Sequence, residues 1–182
     1  VSNSPDVINK KIVIDSNAWN FLHASGIDLN CSDLSEYEFQ ITLEIKRELD
    51  ELKGRQDKED LYNYFLSQTE DMEPLAYFGF HDPDVPEDEQ RNAGFGVGGF
   101  ASIFDVQFIE SNRHHIKNKK RKIYYVNEAD LLIASRAGNG TFILTEDNQK
   151  AGPLQNLPNT IKVSQSSPLT AHDFKKLLDA NT

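Results

Sequence analysis

The chain has 182 residues and a formal net charge of -10, with a mean hydropathy of -0.57. That length suits one α/β domain with a full core and is short for two. No apolar run approaches the ~18 residues of a membrane span, and so acidic a balance argues against a protein that coats nucleic acid without specificity.

The opening Val1-Ser2-Asn3-Ser4-Pro5-Asp6 is polar and lacks a secretory signature. With no initiator Met and Met72 as the only methionine, the chain reads as a processed product or a domain of something longer. The single cysteine, Cys31, excludes an internal disulfide and a Cys-rich zinc site. It has no basic neighbour to activate a thiolate, so it reads as a small, half-buried residue.

In chain order, residues 11–14 form an unbroken β-branched run behind a charged lead-in and predict a short buried strand. Ser16 is a candidate N-cap for a helix over 17–24 that carries Trp19 and Leu22 and stops at Gly26. Residues 27–37 read as polar loop, and 39–41 as a weak strand. Thr42 can cap a helix over 43–53 that buries Ile45, Leu49 and Leu52 at helical spacing. Gly54-Arg55-Gln56-Asp57 breaks it from a helix over 58–68 that packs Leu61, Tyr64, Phe65 and Gln68.

From 70 to about 102, Pro74, Pro83, Pro86 and the glycines 94–99 surround an acidic stretch, the composition of a long insertion or loop. Gly94-Phe95-Gly96-Val97-Gly98-Gly99 formally matches GxGxxG, but Pro86-Glu87-Asp88-Glu89-Gln90 precedes it where a dinucleotide site needs a strand. A helix follows over 103–116, with Ile103, Phe104, Phe108, Ile109 and Ile116 inward. Residues 123–126 predict a strand, 128–137 a helix closed by Gly138, and 142–145 and 161–163 two further strands. Thr170 opens the last helix with Asp173 at the capping-box position, and Phe174, Leu177 and Leu178 face in. Strands alternating with helices predict a mostly parallel sheet with right-handed crossovers.

Charge is uneven along this plan. Acids dominate from 28 to 89, whereas Arg113, Lys117, Lys119, Lys120, Arg121 and Lys122 fall in a stretch without an acid. By default such a strip is solvated surface; it is also the one place where an acidic chain can hold a phosphate backbone. His114 and His115 are adjacent, so on a helix they diverge by about 100° and make no i, i+4 metal pair.

Four carboxylates carry the functional signal. Asp15 ends the first strand, Asp130 sits in the first turn of the helix after the strand over 123–126, and Asp147 follows the strand over 142–145. Open parallel sheets place their ligand sites at those strand ends. Glu48 comes from the flank of the helix over 43–53, with Glu44 and Glu51 one turn away on the same stripe as competitors, and Glu146 is the competitor of Asp147. Each acid has an ordinary explanation as a cap, a turn former or a solvated face. Converging, they would repel unless a divalent cation lay between them. Mg²⁺ or Mn²⁺ suits an all-oxygen set, takes one or two carboxylates directly and leaves room for phosphate.

These residues carry a resemblance. Ile12-Val13-Ile14-Asp15-Ser16-Asn17 resembles the opening motif of PIN-domain nucleases, an apolar strand followed by Asp-Thr/Ser-Asn. Residues 41–53, with Glu48-Leu49-Asp50, are similar to the family's second motif, a helix carrying a Glu. Glu128-Ala129-Asp130-Leu131-Leu132-Ile133-Ala134 resembles the third, and Phe142-Ile143-Leu144-Thr145-Glu146-Asp147 the fourth. Singly each motif is weak, and the four stand in family order, while 70–122 is not covered.

The resemblance implies one domain over 1–182, a three-layer α/β/α fold around a central, mostly parallel five-stranded sheet, with 70–122 inserted. It implies a divalent-metal-dependent ribonuclease leaving 5′-phosphate and 3′-hydroxyl ends. Asp15, Glu48, Asp130 and Asp147 would be its metal-binding acids, and Ser16, Asn17 and Thr145 their hydrogen-bonding support. RNA is the implied substrate, with the strip from Arg113 to Lys122 as its contact. A toxin acting in the cytoplasm, held by an antitoxin or immunity protein, fits this reading, as does an RNA-processing enzyme; no membrane is involved and a homodimer stays open. Two other readings compete. One is an Asp-based phosphatase or phospho-receiver using Asp15, against which stand Asn17 and the lack of adjacent acids. The other is an inactive RNA- or protein-binding module.

Overall fold

The computed structural model describes residues 10–75, 102–115, 117–121, 124–126, 128–137, 140–147, 152–154 and 157–182. In chain order the elements are β1 (Lys10–Ile14), α1 (Ala18–Ser25), β2 (Tyr37–Gln40), α2 (Leu43–Asp50), α3 (Glu59–Gln68) and α4 (Ile103–Asn112). They continue with β3 (Lys117–Arg121), β4 (Tyr124–Val126), α5 (Glu128–Ser135), β5 (Thr141–Thr145), β6 (Thr160–Lys162) and α6 (Ala171–Asn181). Short 3-10 turns lie at Ser32–Leu34, Gln56–Lys58 and Arg113–His115.

Four strands make one parallel sheet in the order β2-β1-β5-β6. Ile12, Val13 and Ile14 are fully buried because β1 is a central strand, and a strand covered on both faces keeps an unbroken apolar run. The ladder sets Ile12 beside Phe39 on one side, and Val13 and Ile14 beside Ile143 and Leu144 on the other. The fold is α/β, and its helices agree with a three-layer arrangement.

Aromatic side chains join the helices to one another and, through Phe174, to the sheet. Phe174 of α6 lies 5.9 Å from Phe21 of α1 and 6.5 Å from Phe39 of β2, ring centre to ring centre. Trp19 of α1 meets Phe65 of α3 edge-on at 4.9 Å. At the amino-terminal end of β2 the Tyr37 hydroxyl donates to Asp179 of α6, and Lys175 bridges Asp179 and Glu36. The ammonium groups of Lys10 and Lys175 lie 5.8 and 5.9 Å from the Tyr37 ring centre. Burial, with Asp179 adding to it, pushes the Tyr37 hydroxyl up to about 12.

Several sequence expectations are corrected. The described residues give a sheet of four strands, not five. The expected strand over 123–126 does not join it: β4 pairs antiparallel with β3. Only two residues separate β3 from β4, enough for a hairpin and far too few for a parallel crossover. β3 itself was hidden, since Lys and Asn are poor strand formers. Leu75 makes one parallel bridge beside Thr42.

The helix over 43–53 ends at Asp50, where Leu52 and Lys53 tighten onto Leu49 and Asp50. The helix over 103–116 stops at Asn112 and gives way to a 3-10 turn, in which the His114 and His115 ring centres lie 4.1 Å apart. Ile103 and Phe104 do not face in; they are 75% and 72% exposed. Ile109, with Phe108 beside it, packs on Leu131 and Leu132 of α5, and the first turn of α4 overhangs that contact. The GxGxxG stretch at 94–99, Gly138 and Lys122 lie outside the described residues. No described helix is long and apolar enough to cross a membrane.

Phe174 joins α1, β2 and α6, so Phe174→Ala should cost about 3–5 kcal/mol by combining lost transfer energy with a cavity. Urea unfolding followed by far-UV circular dichroism measures it.

Candidate active site

The carboxyl ends of β1 and β5 lie side by side, and the site grows from that pairing. The Asp15 amide continues the ladder by donating to the Leu144 carbonyl at 2.9 Å. This sets the Asp15 carboxylate beside the Thr145 side chain. The Thr145 hydroxyl donates to Asp15 Oδ2 at 2.6 Å and accepts from the Asp147 amide at 2.9 Å. Both Asp15 and Thr145 are buried. One hydroxyl therefore fixes the first carboxylate and the loop that carries the fourth.

Ser16 and Asn17 play smaller parts than expected. The Ser16 hydroxyl approaches Asp15 Oδ1 at 3.5 Å, at the limit of a hydrogen bond. Asn17, not Ser16, is the N-cap of α1, without a side-chain capping bond, and it is exposed. The helix start is secured by the backbone, the Ala18 amide donating to the Asp15 carbonyl at 3.0 Å.

Asp130 lies in the first turn of α5, where the helix dipole favours an anion. Glu48 is an exposed residue of α2, a helix seated by Thr42, whose Oγ1 accepts from the Ile45 amide at 3.3 Å. Burial pushes the Asp130 carboxyl up to about 7, and repulsion from Asp15, Glu48 and Asp147 adds to it. The Asp15 carboxyl is also raised, mainly by burial and further by Asp147, with the Thr145 hydrogen bond opposing. Asp130 thus feels the charge of the other three acids singled out in the sequence, and Asp15 that of Asp147.

The competitors separate. Of Glu44, Glu48 and Glu51, Glu48 is the one whose charge acts on Asp130, while Glu44 is buried in the same helix and Glu51 follows its end. Glu146 is turned away, its carboxylate accepting from the Gln165 amide.

As a donor set, four carboxylates suit a hard divalent cation, and their mutual repulsion is the potential such a cation would relieve. Among the described residues, however, no three His, Cys, Asp or Glu side chains stand close enough to share one ion. The two facts are compatible, because Coulomb coupling reaches well past ligand distances in a partly buried setting.

The basic residues occupy a different part of the chain. Arg113 is in the 3-10 turn after α4, and Lys117, Lys119, Lys120 and Arg121 are in β3. The ribbon of β3 and β4 leads directly into α5 and Asp130.

Sequence reasoning missed Lys162. Its ammonium donates to the main-chain carbonyl of Asp147 from the end of β6. The only available signal was its place in the strand after the fourth acid. The chain matches no protein-family model, no curated protein and no solved structure.

Asp130 holds its proton more tightly in the folded state than in the unfolded chain, where an aspartate titrates near 3.8. Stability should therefore fall as pH rises from about 4 toward about 7 and level off above that. Asp130→Asn cannot ionise. In EDTA it should match wild type near pH 4 and exceed it at pH 8 by roughly 1–4 kcal/mol, read from thermal melts at both pH values. A variant less stable than wild type at pH 8 would mean that repulsion is not what Asp130 contributes.

Proposed function

We propose that this chain is a divalent-metal-dependent endoribonuclease of the PIN-domain kind. The observation that carries the reading is the electrostatic coupling of Asp130 to Asp15, Glu48 and Asp147, with Asp15 buried at the end of a central parallel strand. A fold gains no stability from gathering carboxylates that raise one another's proton affinity, so such a group is better understood as a site. Asp15 and Asp147 stand at the carboxyl ends of β1 and β5, where α/β sheets bind ligands.

Asp15, Asp130, Glu48 and Asp147 would hold Mg²⁺ or Mn²⁺, with Thr145 fixing Asp15 from the second layer. The cation would supply charge stabilisation at phosphorus and activation of water. The residues themselves orient that chemistry: Thr145 keeps one oxygen of Asp15 occupied and leaves the other for a ligand. The three-layer family fold belongs to this proposal. So do the action on RNA in the cytoplasm and control by an inhibitor protein.

Asp15→Asn and Asp130→Asn should each lower Mn²⁺-dependent cleavage of a fluorescent single-stranded RNA by at least about 10²-fold, with far-UV circular dichroism unchanged. Wild-type products should carry 5′-phosphates, read by ligation or mass spectrometry. Cleavage that persists in EDTA would overturn the metal mechanism.

The basic strip from Arg113 to Lys122 is proposed as the RNA contact, its charge complementing the backbone. Lys119→Ala with Lys120→Ala should raise KM more than it lowers kcat, and should reduce the slope of log affinity against log salt by about 1–2. Fluorescence anisotropy across a salt series with uncleavable RNA measures the slope.

A further inference from the structure

Asp147 sits beyond the end of β5, outside regular structure, yet both of its main-chain hydrogen-bonding groups are held by side chains. Thr145 takes its amide and Lys162 takes its carbonyl. We propose that Lys162 is a positioning residue for the acid edge, holding the Asp147 carbonyl and so fixing where the fourth carboxylate stands. Its consequence for metal and RNA rests on the nuclease reading; its consequence for the loop does not.

The argument begins with strand register. β6 pairs with β5 so that Lys162 lies beside Thr145, and the Lys162 stem can lean along the loop that leaves β5. The rest of the strand end follows the same loop. The Val163 amide donates to the Thr145 carbonyl at 3.0 Å, and the Gln165 amide donates to the Glu146 carboxylate. Three successive attachments from β6 and its extension thus hold residues 145–147, each at a different atom. Lys162 is the one of them that holds Asp147 itself.

Lysine suits this position chemically. Its ammonium has three donors and no acceptor, so it can hold a carbonyl without offering the neighbouring carboxylates a repulsive oxygen. The negative potential of four acids favours a cation at this edge and strengthens a charged donor's bond. A residue without a donor would take away this hold on the Asp147 carbonyl. Lys162 touches main chain, not the reacting atoms, and acts through Asp147.

The test compares wild type, Lys162→Met and Lys162→Arg in the full chain, with Lys162→Gln in reserve should the Met variant fail to fold. Three quantities are read: amide hydrogen exchange at Asp147 by NMR, Mn²⁺ affinity by calorimetry, and kcat and KM for RNA. Lys162→Met should speed exchange at Asp147 on the order of tenfold and weaken Mn²⁺ about tenfold, as losing a support of a ligand commonly does. Lys162→Arg, which keeps charge and donors, should recover most of both.

Unchanged exchange at Asp147 in Lys162→Met overturns the proposal. So does a rise in KM with exchange and Mn²⁺ affinity unchanged, since Lys162 would then be a phosphate contact. Faster exchange in a protein that binds no Mn²⁺ even as wild type upholds the positioning role and overturns the nuclease reading instead.

Discussion

The hydroxyl of Thr145 is the joint on which the acid edge depends. It donates to a buried carboxylate and accepts from a loop amide, so the orientations of Asp15 and Asp147 are set by one atom. A hydroxyl can do both because it carries one donor and two acceptor sites. Valine would fill the same space and satisfy neither neighbour, leaving Asp15 with an unmet acceptor inside the protein, a costly omission for a charged group. The parallel ladder between β1 and β5 is what delivers that hydroxyl, since the Asp15 amide on the Leu144 carbonyl sets the two strand ends level.

Around this joint the fold works against electrostatics. Asp130 stands where burial and three other acids raise its proton affinity, and the helix terminus of α5 offsets only part of that. The compensation lies elsewhere: a central strand with no exposed apolar residue, and aromatic contacts joining α1 to α3 and α6, and α6 to the sheet. At the opposite end of β2, Tyr37 and Lys175 fasten α6 with mixed charges instead of like ones. The molecule concentrates favourable packing at its centre and unfavourable charge at one rim, the usual division between scaffold and site.

How much of this could be read from the sequence follows from the range of the forces involved. β1 and β5 were legible because a strand buried on both faces must be apolar throughout. The capping of α2 by Thr42 and of α6 by Thr170 was legible because caps are local, and both side chains accept the expected amide. The Asp15 and Asp147 positions followed from the ends of β1 and β5, whereas the strand before Asp130, β4, stands outside the parallel sheet. What escaped depends on distant partners. Lys117 to Arg121 becomes a strand through its pairing with Tyr124 to Val126, against its own composition. Phe104 is apolar and helical yet exposed, because α5 reaches only as far as Phe108 and Ile109. Ser16 lost the cap to Asn17 and turned to its neighbour's carboxylate. Lys162 carried only the faint signal of its place in the next strand, since its meaning lies in a carbonyl fifteen residues earlier.

Asp15 and Thr145 are separated by 130 positions in the chain, and that distance has a meaning in time. A ribosome releases the amino-terminal residues first, and at roughly 5–20 residues per second Thr145 follows Asp15 after something like ten seconds. Through that interval β1 has no β5 to lie against, and its terminal carboxylate has no hydroxyl to hold it. β6, which carries Lys162, arrives later still. Whatever chemistry the edge performs, it cannot be performed by a growing chain until its carboxyl-terminal strands have emerged. The long-range pairing that makes this topology slow to close thereby keeps the acids unassembled while the polypeptide is still attached to the machinery, and to the message, that produced it.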